Sequence, residues 1–125
     1  MERRGHVQYS LMLYQTDAQF AARTDPARRD AVAAAFGRYV GALKDAGVLL
    51  TTLGIEPPDT VATVRRGNSA SNVQKGPFTH TKEQLGGLCV IEAPDLEAAT
   101  IWAERAPFDH CAVVEVRPTR VVPNN

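Results

Sequence analysis

The sequence is short of the features that most quickly assign a protein to a functional class. Cysteine is scarce, and Cys89 and Cys111 lie within apolar runs without the paired spacing of a zinc site, so we expect buried free thiols. Charge of one sign is not in excess either, because 14 Lys and Arg residues balance 14 Asp and Glu residues. Nucleic acid is therefore not expected as a partner.

Long apolar runs are also missing, and none approaches the length of a membrane span. The basic start MERRGHVQYSLML is interrupted by polar residues, and no small-residue cleavage site of a secretory signal follows it. Together with the scarcity of cysteine, these absences predict a cytoplasmic protein without membrane contact.

The motifs of several catalytic mechanisms are absent. No phosphate-cradling glycine loop follows a strand, no Gly-flanked serine forms a nucleophile elbow, and no His or Cys pair has metal-ligand spacing. The three histidines, His6, His80 and His110, are scattered and can meet only through folding. We expect neither a cofactor nor a metal site.

The length suits one compact domain, residues 1–125, with a core of about 7–118. In VQYSLMLYQ the apolar residues alternate on one face, while Met12 and Tyr14 make the opposite face partly apolar. This pattern predicts a strand with both faces covered.

A helical pattern of apolar residues runs from Pro26 to Ala46, with Thr24 or Asp25 as the cap and Gly47 after its end. A second helix, DLEAATIWAERA, has Asp95 as its cap. Strands are predicted at VLLTTLGIEPP, at LGGLCVIEA and at CAVVEVRPTRVV, and the runs on either side of a Gly-Asn-Ser turn predict a hairpin.

The order strand, helix, strand, hairpin, strand, helix, strand predicts an α+β, ferredoxin-like (split βαβ) fold. Its four-stranded antiparallel sheet carries two helices on one face and an added β-hairpin. The other sheet face would leave a partly apolar surface exposed, which soluble monomers avoid. We therefore expect a homodimer that pairs these faces, similar to a dimeric α/β-barrel.

The segments GPFTHTKEQLGGLCVIEAPDLEAATIWAERAP and VVEVRP, with YSLMLY and AGVLLTTLGIEPPDTVATVR upstream, resemble the YCII-related family. The resemblance is to the branch named for an Asp-Gly-Pro-Phe motif and covers Val7 to Pro118. It implies a ferredoxin-like fold, a dimer, and a pocket beside the sheet and the Gly-Pro-Phe loop. Some members of the branch are associated with sigma-factor regulation. Relatives in the wider family are small cofactor-free enzymes, including a dehydrochlorinase with a proposed His/Asp pair.

The sequence departs from that branch where chemistry is expected. Lys75 stands in place of the motif's aspartate, and His80 stands where glutamate is common. Asp109 and His110 precede the last strand, where small or neutral residues are usual. These changes indicate a specialised activity.

Five residues are candidate catalytic groups. His80 is the expected general acid or base and His110 the second proton carrier, because imidazole titrates near neutrality. Asp109 would orient an imidazole, and Lys75 or Tyr14 would polarise a substrate oxygen. The alternatives are a solvated loop histidine, a surface Asp109 or His110, a solvated Lys75 and a Tyr14 that packs in the core.

Further residues are candidates for substrate binding: Gly76 and Phe78, which shape the loop and an apolar wall, and the charged residues Lys82, Glu83, Glu115 and Arg117. Each has a structural alternative. For Lys82 and Glu83 the alternative is an exposed ion pair, and for Glu115 and Arg117, two apart on one strand, it is a salt bridge at an edge or a dimer interface.

The resulting hypothesis is a small cofactor-independent enzyme of specialised metabolism or aromatic degradation. It would transfer protons on a small carbonyl or phenolic substrate by isomerisation, elimination or cyclisation. The alternative is a non-catalytic dimer that binds a small molecule or protein and is linked to transcriptional regulation. A metal-dependent enzyme would require the histidines to meet Asp109 or Glu115.

Overall fold

The computed structural model describes residues 6–123. It contains six strands and three α-helices, in the order β1 Val7–Gln15, α1 Asp17–Ala22, α2 Arg29–Asp45, β2 Leu49–Gly54, β3 Ala62–Arg66, β4 Ser71–Lys75, β5 Gln84–Ala93, α3 Leu96–Glu104 and β6 Val113–Thr119. A 3₁₀ turn at Pro58–Thr60 precedes β3. None of the helices within 6–123 combines the length and the apolar character needed to cross a membrane.

The main sheet has four antiparallel strands in the order β2-β5-β1-β6. The first helical crossover therefore joins two strands that are separated by β5, which is the split βαβ arrangement of ferredoxin-like folds. Strands β3 and β4 form a separate two-stranded sheet. The α+β, ferredoxin-like prediction with an added hairpin is confirmed.

The core lies between the sheet and the helices. Alternate residues of β1, among them Leu11 and Leu13, are fully buried, and Leu11 lies opposite the buried Cys89 on β5. On the helical side the core includes Tyr39 and Leu43 of α2. The Tyr39 hydroxyl donates a hydrogen bond to the carbonyl of Trp102 at 2.7 Å, which joins α2 to α3.

The two thiols are free and buried, as expected. Burial raises the pKa of Cys111 to about 11, and the nearby Cys89 adds to this. Burial also raises the pKa of Cys89, which the Thr52 hydroxyl at 3.4 Å from its sulfur partly opposes. Both groups are thiols at neutral pH, which suits packing and not nucleophilic chemistry.

The region before α2 differs from the prediction. A short helix, α1, begins after Thr16, whose side chain and Gln19 form a reciprocal capping box. Helix α2 begins at Arg29 and not at Pro26. Asp25 caps the preceding turn instead, because its carboxylate accepts from the Ala27 amide at 2.9 Å. The predicted end of α2 is confirmed, because the helix stops before Gly47, which adopts a left-handed φ of 72°.

The face of the sheet away from the helices is half-buried and mixed in character. Met12 and Tyr14 point to it from β1, and Met12 lies between Leu88 of β5 and Glu115 of β6. On the separate hairpin, the cross-strand pair Val64 and Val73 is exposed. The predicted homodimer would cover the open face of the main sheet.

Candidate functional site

His110 is held in a tight turn between α3 and β6. Its amide donates to the Pro107 carbonyl at 3.0 Å, and the Cys111 amide donates to the same carbonyl at 3.2 Å. The imidazole stacks on Phe36 of α2, with ring centroids 4.1 Å apart and planes 16° from parallel. Its Nδ1 is buried and has no hydrogen-bond partner among the described residues.

The surroundings of His110 keep its ring neutral. Burial, followed by the positive charge of Arg23, lowers the pKa of His110 from 6.5 to about 4. At neutral pH the ring therefore carries one N–H donor and one acceptor nitrogen. Because no protein group fixes the tautomer through Nδ1, either ring nitrogen can carry the proton of the neutral form.

Arg23 follows α1 and reaches under the sheet edge. Its Nη1 donates to the Ile55 carbonyl at 2.7 Å, and its Nη2 donates to Gln15 Oε1 at 2.5 Å and to the Gly86 carbonyl at 2.6 Å. These acceptors are all neutral. The carboxylate of Glu56 is 4.0 Å away and 83% exposed. Burial lowers the pKa of Arg23, and the charge of Glu56 partly opposes this; the guanidinium stays protonated.

Gln15 connects Arg23 to the His110 turn. Its side chain is fully buried at the end of β1, and its Nε2 donates to the His110 carbonyl at 2.5 Å. Gly86 lies directly against this amide, and a Cβ added at Gly86 would collide with the Gln15 side chain. The missing side chain at Gly86 therefore allows the network to form.

These residues surround a cleft of about 360 Å³ between the first half of α2 and the ends of β2 and β5. We call it the arginine-histidine cleft; its lining residues are Arg23, Arg29, Val32, Ala33, Phe36, Gly37, Leu53, Gly54, Gly86, Gly87 and His110. Most of this lining is apolar. The cleft is of the size that small ligands occupy, and its polar groups are few and close together.

The Gly-Pro-Phe loop forms a different and shallower cleft. His80 lines this loop cleft of about 350 Å³, together with Asp17, Pro58, Asp59, Gly76, Pro77, Thr81 and Gln84. Gly76 has a φ of 98°, which confirms the backbone role expected of this glycine. The side chains of Lys75, Phe78, His80 and Lys82 are all exposed. The Phe78 ring lies 5.3 Å from the Arg65 guanidinium.

Tyr14, Glu115 and Arg117 meet on the open face of the sheet. The Tyr14 hydroxyl donates to Glu115 Oε1 at 3.1 Å, and Arg117 Nε donates to the same oxygen at 2.8 Å. The bonds from Arg117 and Tyr14 lower the pKa of Glu115, while burial and then Glu115 raise the pKa of Tyr14. Tyr14, Glu83 and Glu115 line a wide sheet-face cleft of about 530 Å³.

The structure therefore distributes the predicted site residues among separate places. His110 lines the arginine-histidine cleft, His80 the loop cleft, and Tyr14 the sheet-face cleft. Asp109 is exposed, borders a further cleft beside α1 and α2, and makes no hydrogen bond to the His110 ring. Within residues 6–123, no three His, Cys, Asp or Glu side chains come together in an arrangement that could hold a metal ion.

Four residues of the site were not predicted from the sequence: Gln15, Arg23, Arg29 and Phe36. One signal was available, because Gln15 continues the row Tyr9, Leu11, Leu13 on the inward face of β1. A polar residue in a buried row requires partners for its amide. Nothing in the spacing of the arginines indicates that Arg23 supplies one of them.

The fold and the cleft together define a ferredoxin-like α+β domain with a mostly apolar cleft beside one edge of its sheet. The family model described as the YCII-related domain matches residues 7–122, nearly the whole chain. The chain belongs to the YCII-related family. A search of the curated proteins found no match.

Proposed function

We propose that the protein is a small acid-base enzyme that works without a cofactor and moves protons on a small carbonyl or phenolic substrate in the arginine-histidine cleft. The observation that carries the proposal is His110. Its neutral imidazole lines an apolar cleft, leaves Nδ1 without a protein partner, and lies close enough to Arg23 for that charge to lower its pKa. Strongly perturbed titratable groups in a cleft are typical of functional sites.

The chemistry requires only the groups present. A neutral nitrogen of His110 accepts the proton from a carbon beside the substrate carbonyl, or from a phenol, and the C–H or O–H electron pair passes to the substrate oxygen. An arginine guanidinium stabilises the resulting enolate or phenolate, because charge interactions strengthen where water is excluded. Return of the proton to another carbon completes an isomerisation, and loss of a leaving group completes an elimination.

The residues of the Gly-Pro-Phe loop provide a competing location for the same chemistry. His80 lines the loop cleft with the carboxylate residues Asp17 and Asp59, and the exposed Lys75 ends the adjacent strand. This arrangement is open to solvent, so it excludes water less well than the arginine-histidine cleft. We therefore place the reaction at His110, and the following variants separate the two locations.

The test is hydrogen exchange catalysed by the purified protein. A panel of phenolic, enone and β-dicarbonyl compounds is incubated in D₂O, and deuterium incorporation is followed by NMR. For a compound that the wild type exchanges, His110→Gln is expected to lower the rate by about 10²-fold or more, the usual worth of a general base. The matched variant His80→Gln is expected to retain it. Loss in His80→Gln alone would move the site to the loop cleft.

The non-catalytic alternative predicts another pattern. A compound that binds in the arginine-histidine cleft, shifts the His110 ring resonances and shows no exchange above buffer would contradict the enzyme proposal. It would favour a small-molecule-binding module, the kind of protein that a regulatory role requires.

We also propose that the protein is a homodimer that pairs its open sheet faces. Met12, Leu88 and Val113 supply apolar surface there, and Tyr14, Glu115 and Arg117 supply a hydrogen-bonded polar group. Met12→Asp places a charge at the centre of this face and is expected to give monomers in sedimentation analysis. A wild-type protein that sediments as a monomer at micromolar concentration would contradict the assembly.

A further inference from the structure

We propose that the ligand of the arginine-histidine cleft is an anion, namely a small carboxylate with an apolar body, and that Arg29 binds its carboxylate. This inference rests on the proposed function, since it names the substrate class of the same site.

The charged side chains that line the cleft are all positive. Its lining includes the guanidinium groups of Arg23 and Arg29 and no Asp or Glu side chain. Three neutral acceptors satisfy part of the Arg23 hydrogen-bonding capacity without cancelling its charge. The nearest carboxylates, Glu56 at 4.0 Å from Arg23 and Asp30 at 3.9 Å from Arg29, are 83% and 97% exposed and lie outside the cleft lining. Two guanidinium groups beside apolar walls, with only solvent-exposed carboxylates near them, favour an anionic partner in the cleft.

The two arginines of the cleft differ in how firmly they are held. Arg23 is 22% exposed and fixed by its contacts with Gln15, Gly86 and Ile55, so it supplies charge from a set position. Arg29 is 57% exposed, and its nearest carboxylate is that of Asp30 at 3.9 Å, itself 97% exposed. The Arg29 guanidinium is therefore available to form the paired hydrogen bonds that a carboxylate accepts.

The apolar walls of the cleft determine what kind of body the ligand has. Val32, Ala33, Phe36 and Leu53 provide apolar walls, and the cleft of about 360 Å³ lies at the small end of ligand sites. A fully hydrated inorganic anion would gain nothing from these walls. A carboxylate with an aromatic or unsaturated body satisfies both the arginine and the apolar surface.

The test compares benzoate with its neutral isostere benzamide by calorimetry and by NMR of the His110 ring. Wild-type protein is expected to bind benzoate about tenfold or more tightly than benzamide, the advantage of a charge-assisted bidentate contact. Arg29→Gln is expected to remove most of this preference, with the remainder due to the Arg23 charge, and to weaken benzamide binding much less than benzoate binding. Arg28→Gln is the matched control, because Arg28 is adjacent in sequence, pairs with Asp25 at 2.9 Å and lines a different cleft.

Equal binding of the two probes to the wild type would overturn the inference, and so would an equal loss of preference in Arg28→Gln. The result is separable from that of the proposed function. If benzamide binds as well as benzoate while neutral carbonyl compounds still undergo exchange that depends on His110, the acid-base proposal stands and the carboxylate assignment fails. If benzoate is preferred through Arg29 and no compound is exchanged, the carboxylate site stands and the enzyme proposal fails.

Discussion

Gln15 is the residue whose replacement tests the described network most directly. Gln15→Met keeps the length and unbranched shape of the side chain and removes both of its hydrogen bonds, one to the His110 carbonyl and one from Arg23. An unsatisfied buried polar group costs about 1–3 kcal/mol, and Arg23, at 22% exposure, can recover part of its loss from water. We expect the free energy of unfolding to fall by about 2–4 kcal/mol.

The control is the same substitution on the same strand. Gln8 lies on the open face of β1, where its Oε1 accepts from the Thr119 hydroxyl at 3.1 Å, and it is only half-buried. Because water can replace that bond, Gln8→Met should cost less than about 1 kcal/mol. Urea unfolding of the three proteins, at one protein concentration, measures the difference. Equal effects of the two substitutions would refute the claim that Gln15 organises the site.

Two further predictions concern His110 and the glycines. The folded pKa of His110, about 4, lies below its ordinary value of 6.5, so the unfolded chain binds a proton more readily. The free energy of unfolding should therefore fall as the pH drops from about 6.5 towards 4. Chemical unfolding across this range should show a smaller slope in His110→Gln than in the wild type or in His80→Gln. Gly41 lies in an open position of α2, so Gly41→Ala should stabilise the protein by about 0.5–1 kcal/mol. Gly86→Ala should destabilise it by about 1–3 kcal/mol, because the added Cβ collides with Gln15. Thermal unfolding that ranks the two variants in the opposite order would contradict this geometry.

The fold was predictable because its elements have strong local patterns. The alternation in VQYSLMLYQ defines β1 with the bounds that the structure gives, and Asp95 caps α3 as expected, accepting from the Ala98 amide at 2.9 Å. The order of the elements then leaves few topologies for a chain of this length. Local pattern and overall topology agree throughout the sheet, which is why the ferredoxin-like arrangement follows from the sequence.

The start of α2 was not predictable from the same signals. Asp25 and Pro26 are typical of a helix start. In the structure they belong to a turn that comes directly before α2, which begins at Arg29. The Asp25 carbonyl accepts from both the Arg28 and Arg29 amides, so the turn leads directly into α2. A cap motif specifies where the chain can turn, and tertiary packing decides where regular helix begins.

The candidate site was only partly predictable, because the sequence shows which residues could carry chemistry but not which of them the fold brings together. His110 stands out in the sequence as an unusual residue before a strand, and it is predicted there as a proton carrier. Its isolation from His80 follows from the fold, since one histidine lies on the loop before β5 and the other on the turn before β6. Arg23 is informative for a different reason: in sequence it is one of many arginines, and only the fold shows that its hydrogen-bond acceptors are all neutral. A site built from polar contacts across five segments leaves no spacing motif in the chain. Gln15, in an otherwise apolar row, is a position where the sequence reveals that such contacts must exist.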